Sequence, residues 1–188
     1  MAFIVVTDFS IIKIKGVSIM EIRKTKLQDL PYVMDVYKYA QKFMVENGNP
    51  NQWSEGYPPQ IMIEDDIIKG LSYVCVDDDK ILAVFYFDTA PDSTYAKIDG
   101  EWKNSDKYGV VHRIARARDA KGAGAFCLAW CHGQVANIRI DTHKDNEAMR
   151  ALLPKLGYEY CGVIWLDNGD ARMAFQRVGS IADAEQNV

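Results

Sequence analysis

Strand-like and helix-like segments alternate along most of the chain, and this alternation constrains the fold more than any other feature of the sequence. Apolar residues recur at helical spacing in 123–134 (AGAFCLAWCHGQ) and 146–157 (NEAMRALLPKLG). Runs rich in β-branched residues, such as 109–116 (GVVHRIAR) and 137–142 (NIRIDT), are typical of strands. Over residues 20–178 the predicted order is β-α-α-β-β-β-α-β-α-β-β. This order predicts an α/β fold with a mixed sheet and helices on its faces, rather than an all-parallel doubly wound sheet.

The size of the chain favours a single domain, and its charge argues against one class of partner. Its 188 residues are 48% hydrophobic and 26% charged, which suffices to bury a core without disulfides or a structural metal. The formal net charge of −4 argues against a nucleic-acid partner, because such partners are held through phosphate contacts. The sequence has no run of about 18 apolar residues that could span a membrane.

The four cysteines predict a reducing environment. Their positions, 75, 127, 131 and 161, lack the spacing of a disulfide framework, so we expect reduced thiols and a cytoplasmic location. Cys127, Cys131 and His132 are close in sequence, but no second pair of ligands follows them. Helical spacing places Cys127 and Cys131 on one face, which favours core packing over metal binding.

The two ends of the chain are interpreted separately from the domain at 20–178. We expect residues 1–19 to be an appendage, and an extra edge strand is the alternative because Ile11, Ile12 and Ile14 are β-branched. The appendage lacks a basic first region, which argues against a signal peptide. Residues 179–188 are predicted to be a flexible tail.

The turn between the strand at 109–116 and the helix at 123–134 predicts an anion site. Gly122 and Gly124 let a ligand approach the backbone closely. The N–H groups at a helix start, with the helix dipole, favour a negative charge, and Lys121 adds a cation. The turn therefore suits a pyrophosphate, although an ordinary helix entry is equally compatible with these residues.

Two motifs resemble those of the GNAT acetyltransferase superfamily. The pyrophosphate loop Arg/Gln-x-x-Gly-x-Gly/Ala aligns with 121–126 (KGAGAF), where Lys121 replaces the usual Arg or Gln and Phe126 replaces a small residue. The run 140–162 resembles the family's strand-helix-strand signature, in which Asn146 opens a helix that ends at Lys-x-Gly-aromatic. The resemblance covers about residues 20–178. It implies a GNAT-like mixed, mostly antiparallel central sheet flanked by helices.

The resemblance also implies acetyl-CoA as co-substrate, with transfer of its acetyl group to an amine by direct attack in a ternary complex. A backbone N–H near Ile114 or Ala115 would hold the acetyl carbonyl. The residues that the resemblance assigns to acetyl-CoA are Ile114, Ala115, Arg116, Lys121, Gly122, Ala123, Gly124, Ala125, Phe126 and Asn146.

Two residues are candidates for the proton transfers. In some members of the superfamily a histidine at about this place acts as base through water, so the resemblance implies His112 as the base. Strand alternation predicts that His112 shares a face with Ile114. A histidine that only orders the sheet is the alternative. Leu153 occupies the position where many family members carry a tyrosine whose hydroxyl can protonate the leaving thiolate. Here the proton would come from water or from another residue such as Tyr158, or the thiolate would leave unassisted. A packed aromatic is the alternative for Tyr158.

Four aromatic residues in loop-like segments predict the acceptor pocket. Trp53, Tyr57, Trp102 and Tyr108 could line a site for an apolar or cationic amine, or could instead cover the edge of the sheet. We expect a small-molecule or peptide amine as partner, no nucleic acid and no membrane, and the resemblance is compatible with a homodimer. Two other functions stay open: an acyl-CoA-binding or sensor protein without turnover, and an unrelated α/β domain that holds a nucleotide phosphate.

Overall fold

The structure is a computed structural model that describes residues 19–179. The predictions for 1–19 and for 179–188 therefore lie almost wholly outside the described residues. The strands are β1 (Glu21–Lys24), β2 (Ser72–Asp77), β3 (Lys80–Asp88), β4 (Asp99–Gly100), β5 (Gly109–Arg116), β6 (Asn137–Thr142), β7 (Glu159–Trp165) and β8 (Ala171–Val178). The helices are α1 (Leu30–Glu46), α2 (Gln60–Ile68), α3 (Ala123–Gln134) and α4 (Glu147–Lys155).

The strands form one mixed sheet in the order β1-β2-β3-β5-β6-β8-β7-β4. Among the described strands only β5 and β6 pair in parallel, so the predicted mixed, mostly antiparallel sheet flanked by helices is confirmed. The two-residue strand β4 was not predicted. It lies in the segment 91–108, for which the sequence predicts irregular structure, and it pairs with Val163 and Gly162 of β7.

The sheet opens between its two parallel strands. Pairing of β5 with β6 runs from Gly109 opposite Ile138 to Val111 opposite Ile140 and then stops. From His112 onward the two strands part, so none of the described strands pairs with this edge of β5. This opening is the feature of the fold that creates a site.

A bulge in β5 lies at the same point. Tyr86 of β3 is opposite His112 and Val84 is opposite Ala115, so β5 carries one residue more than β3 between these pairs. Arg113 takes up the extra residue with a φ of 50°, which is uncommon for a residue other than glycine. The strand thereby changes which side chains face each side of the sheet.

Each face of the sheet is covered by different elements. On one face α3 and α4 contribute Cys127, Leu128 and Leu153 to the largest hydrophobic cluster. On the other face α1 and α2 cover the β1 end of the sheet, and the segment 91–108 covers the β7 end. The opening between β5 and β6 thus connects two differently covered sides of the molecule.

The cysteines and helices agree with the interpretation of the sequence. Cys75, Cys127 and Cys131 are fully buried in the same hydrophobic cluster, as helical spacing predicts for the latter two. All four cysteines are unpaired. Between residues 19 and 179, no helix has the length and apolar character needed to cross a bilayer.

Candidate active site

A cleft of about 840 Å³ occupies the opening between β5 and β6. The β5 residues from Val111 to Arg116 line one wall, and Ile140 to Thr142 of β6 line the other. The starts of α3 and α4 border the cleft on one side of the sheet. The loop 47–59 and the turn between β7 and β8 contribute residues from the other side.

The first turn of α3 presents unused N–H groups near the cleft. Gly122 caps the helix with a φ of 83° and accepts the first regular helical bond, from Phe126 N–H at 3.0 Å. The N–H groups of Gly124 and Ala125 precede this bond, so they have no acceptor within the helix. A Cβ built on Gly124 would meet only Leu152 Cδ2, at 3.9 Å, which leaves room for an anion beside the backbone. This geometry fits a pyrophosphate at the α3 N-terminus.

The side chains of the predicted pyrophosphate loop lie in different places. Gly124 lines the cleft, whereas Lys121 is exposed and does not line it. Ala123 is fully buried, and Phe126 packs its ring against the hydrophobic cluster beneath α3. The large side chain of Phe126 therefore points into the core, which explains how it is tolerated where a small residue is usual.

The β5 backbone supplies one N–H toward the opening. Ala117 N–H donates to Leu82 O of the adjacent strand at 2.8 Å. Because N–H groups alternate in direction along a regular strand, Ala115 donates toward β3 as well. The N–H of Ile114 therefore points the opposite way, toward the edge where pairing with β6 has stopped. Of the two backbone groups predicted from the sequence, Ile114 is the one that faces the opening.

Asn146 connects α4 to the loop 47–59. Its side-chain oxygen caps α4 by accepting from Met149 N–H at 3.1 Å, and its Nδ2 donates to Gln52 Oε1 at 2.9 Å. Asn146 and Gln52 both line the cleft. The sequence predicts the position of Asn146 at the helix start, but not its contact with a loop residue 94 positions earlier.

His112 lies in the cleft between two carboxylates. Its Nε2 is 2.7 Å from Asp92 Oδ2, and its Nδ1 is 3.7 Å from Asp141 Oδ1. An ionised carboxylate only accepts hydrogen bonds, so Nε2 donates to Asp92, and Nδ1 is directed toward Asp141. The bond from His112, with bonds from Thr94 N–H and Oγ1, holds the pKa of Asp92 well below its ordinary value.

The prediction that His112 and Ile114 share a strand face is wrong. The His112 ring lies against Tyr86 and Tyr95, whereas Ile114 packs against the cluster beneath α3 on the opposite face. The bulge at Arg113 is the reason, because one extra residue reverses the alternation of side chains beyond it.

Asp141 is a site residue that the sequence analysis missed. Its Oδ1 accepts a hydrogen bond of 2.7 Å from the Tyr95 hydroxyl. Burial, and then the nearby charge and hydrogen bond of Asp141, raise the pKa of Tyr95. Its Oδ2 has no donor among the described residues, and it lies in the cleft. A signal was available: Asn137, Arg139 and Asp141 alternate along β6, which predicts a polar face on an inner strand.

Two of the four predicted pocket aromatics line the cleft. Trp53 and Tyr57 do so, and their rings are 5.9 Å apart. Trp102 and Tyr108 do not: the Arg139 guanidinium lies 4.2 Å from the Trp102 ring centre and 3.9 Å from that of Tyr108. Contrary to the prediction, Trp102 and Tyr108 therefore do not line the pocket. They cover the β7 end of the sheet, because the buried cation of Arg139 holds them there.

Tyr158 also lies outside the cleft. Its side chain is 2% exposed within the cluster beneath α3, and its hydroxyl has no hydrogen-bond partner among residues 19–179. Burial raises the pKa of this hydroxyl far above its ordinary value. Tyr158 is thus a packed aromatic, the alternative that the sequence left open, and the prediction of a catalytic acid at this position is corrected.

Two arginines, Arg113 and Arg172, line the cleft, and they differ in their contacts with carboxylates. Arg113 donates to Asp66 of α2 at 2.6 Å, an ion pair of which both side chains are at most 14% exposed. Burial outweighs the attraction of Arg113 and raises the pKa of Asp66. Arg172 of β8 is 5% exposed, and its nearest carboxylate, Asp170, is 3.6 Å away and half-exposed. Arg113 thus makes a short bond to a buried carboxylate, whereas Arg172 has only a longer contact with a half-exposed one.

Comparison with known proteins gives similarity at the level of structure. Neither family models nor curated proteins match the sequence. A GNAT-family acetyltransferase from Streptococcus agalactiae is 29% identical with a TM-score of 0.77, over 86% of this chain and 96% of that chain. A GNAT-family acetyltransferase from Listeria monocytogenes is 19% identical with a TM-score of 0.63, over 84% of this chain and 94% of that chain.

A third similar structure has a named activity. The ribosomal-protein-alanine N-acetyltransferase from Brucella melitensis is 18% identical with a TM-score of 0.58, over 85% of this chain and 99% of that chain. At such identities the Listeria and Brucella structures are informative about the fold alone, whereas the Streptococcus structure is more similar in both sequence and shape. The resemblance to the GNAT acetyltransferases is confirmed, and the chain has the fold of that superfamily.

Proposed function

We propose that this protein transfers an acetyl group from acetyl-CoA to an amine. The observation that carries the proposal is the parting of β5 and β6 beside the unused N–H groups of α3, with His112 on the other side of the opening. One ligand can enter from the α3 side and another from the side of the loop 47–59. The two reactants of an acyl transfer would meet in such an opening.

The residues on the α3 side fit acetyl-CoA. The N–H groups of Gly124 and Ala125 would hold the pyrophosphate. Ile114, Arg116 and Asn146 line the route from there to the opening. When bound, acetyl-CoA supplies an activated thioester carbonyl. The N–H of Ile114 would hold the carbonyl oxygen and stabilise the negative charge that develops on it.

His112 would take the proton from the incoming ammonium. With Nε2 bonded to Asp92, Nδ1 of the neutral ring would be the atom that accepts this proton. In the overall reaction a bond forms between the amine nitrogen and the acetyl carbon, and the carbon–sulfur bond breaks. The ammonium loses two protons: one leaves through His112 to solvent, and the second, lost after the attack, balances the proton that the sulfur takes up as the thiol is released.

The acceptor would be a small-molecule or peptide amine. Trp53, Tyr57 and Met62 give its side of the cleft an apolar lining, while Asp141 supplies negative charge. The four free cysteines are in keeping with a cytosolic setting for this reaction. The Asp92–His112 pair favours an enzyme over a protein that only binds acyl-CoA, because binding alone has no need of an oriented base.

A binding titration followed by a transfer assay tests the proposal. Ligand at a hundredfold excess over Kd stabilises the folded state by about 2.7 kcal/mol, so acetyl-CoA should raise the melting temperature and ATP should not. Thiol release, read with a chromogenic disulfide in the presence of an amine panel, then measures transfer. Stabilisation by ATP but not by acetyl-CoA contradicts the proposal. Stabilisation by acetyl-CoA without any transfer points to the binding-only alternative.

A further inference from the structure

The part of the cleft formed by β6 and β8 carries a negative side chain, Asp141, and a positive one, Arg172, that do not pair with each other. Asp141 and Arg172 lie on paired strands, with Asp141 opposite Ala174, two residues along β8 from Arg172. Such diagonal neighbours on one face have Cα atoms about 7–8 Å apart. Both residues line the cleft, yet they form no ion pair with each other.

The Arg172 guanidinium is buried but sparsely bonded. It donates to Ala171 O at 3.0 Å and makes a long bond of 3.4 Å to Gln52 O. A guanidinium has five N–H donors, so most of them have no acceptor among the described residues. The nearest carboxylate, Asp170 Oδ2 at 3.6 Å, already accepts a bond from Asn168. A buried cation in this state lacks the bidentate acceptor that arginine geometry favours.

The Asp141 carboxylate also has unfilled capacity to accept hydrogen bonds. Asp141 Oδ2 has no donor in the described part of the chain, and the neighbouring His112 Nδ1 is 3.7 Å from Asp141 Oδ1. The carboxylate of Asp141 and Nδ1 of His112 therefore face the same space, and at 3.7 Å they are too far apart to form a hydrogen bond. An ammonium group, with three donors, would satisfy both.

We propose that the acceptor is a zwitterion: an amino acid whose ammonium lies at Asp141 and His112 and whose carboxylate lies at Arg172. The apolar lining from Trp53 and Tyr57 would take an apolar or aromatic side chain. This inference rests on the proposed acetyl transfer and specifies its substrate class. An amine without a nearby carboxylate would leave the buried guanidinium of Arg172 without an acceptor, which disfavours its binding.

The test compares each amino acid with its own carboxamide. The probes are L-phenylalanine, L-leucine and L-methionine beside their amides, assayed by acetyl-CoA-dependent thiol release. Hydrogen bonds to charged groups are the strong ones, so we expect the acid to have about a 10- to 100-fold higher kcat/KM than the amide. In R172Q this ratio should fall to about one, and R172K should retain part of it.

The ratio of kcat/KM for the amino acid to kcat/KM for its amide does not depend on how much of the protein is folded. Arg172 is buried, so R172Q can lower the folded fraction, but both substrates are measured on one preparation. The matched control is K144Q, which removes an exposed cation at a smaller hollow that Arg172 also borders. K144Q should leave the ratio unchanged. A loss of preference in K144Q but not in R172Q would place the carboxylate in that hollow and overturn the proposal.

A binding measurement separates this inference from the proposed function. N-acetyl-L-phenylalanine and its amide are titrated calorimetrically into protein saturated with CoA, and the acid should bind more tightly in a manner that R172Q abolishes. Amides that react or bind as well as the acids overturn the zwitterion proposal while leaving acetyl transfer intact. Absence of acetyl-CoA binding overturns the proposed function instead. Acetyl-CoA binding with transfer only to amines that lack a carboxylate also refutes the zwitterion.

Discussion

A single methyl group at Gly124 should separate the stability of the fold from the affinity for acetyl-CoA. Gly124 lies in the first turn of α3, and a Cβ there meets only Leu152 Cδ2 at 3.9 Å, an ordinary van der Waals contact. G124A is therefore compatible with the protein alone. Since glycine within a helix is less stable than alanine by about 0.5–1 kcal/mol, the variant should be as stable as the parent or more so.

The same methyl group would stand where the pyrophosphate approaches the backbone. Displacing one phosphate oxygen from an N–H group removes a charge-assisted hydrogen bond of about 1.5–3 kcal/mol, which is about a 10- to 100-fold loss in affinity. Calorimetric titration with acetyl-CoA measures this loss. A melting curve of the protein alone should move upward by about 1–4 °C.

Gly133 provides the matched control in the same helix. A Cβ on Gly133 meets nothing within 4 Å, and this residue is not among those that line the cleft. G133A should stabilise the fold by a similar amount and leave the affinity for acetyl-CoA unchanged. Equal affinities in the parent and G124A, or equal losses in G124A and G133A, would refute a pyrophosphate site at the start of α3.

Three further predictions concern the site's charged residues. H112Q should lower kcat by about 10²- to 10⁴-fold while the Kd for acetyl-CoA, measured by titration, stays within twofold. The folded pKa of Asp92 lies below its ordinary value of 3.8, so its stabilising contribution is complete above that pH and is lost as the pH falls through the folded pKa. Urea unfolding should show a shallower loss of stability on acidification in D92N. D66N should cost about 3–5 kcal/mol in urea unfolding because it leaves Arg113 buried without its carboxylate, and D66N/R113M should recover part of this loss.

The order of strands and helices followed from the sequence because local patterns specify it. The predicted helix at 123–134 has the bounds of α3, since Gly122 caps the helix and its interior is apolar throughout. The start of α4 at Asn146 was equally predictable, because an Asn side chain that caps a helix is a local signal. These features depend on residues only a few positions apart.

The composition of the site was less predictable because it depends on contacts between distant residues. The bulge at Arg113 reversed the expected orientation of Ile114 relative to His112, and nothing in the local pattern marks a non-glycine residue with a positive φ. Trp102 and Tyr108 were assigned to the pocket because loop aromatics have no periodicity that reveals their environment. Their partner, Arg139, lies more than 30 positions away.

The buried charges were missed for a related reason. Arg172 and Asp141 lie in segments where polar and apolar residues alternate, which is typical of any half-buried strand. Only the sheet order, which places β8 beside β6, brings them to one face of one cleft. A polar row along an inner strand is nevertheless a usable signal, because burying such residues is costly unless they have partners.

A crystal structure of the protein with acetyl-CoA bound would show directly whether the cleft holds this co-substrate as proposed. We expect the pyrophosphate at the N–H groups of Gly124 and Ala125, the arm of the ligand between β5 and β6, and the acetyl oxygen within hydrogen-bonding distance of Ile114 N–H. We also expect that the acetyl carbon is open to the side of the cleft that holds His112. Acetyl-CoA bound elsewhere, or with its acetyl group directed away from β5, would contradict the account.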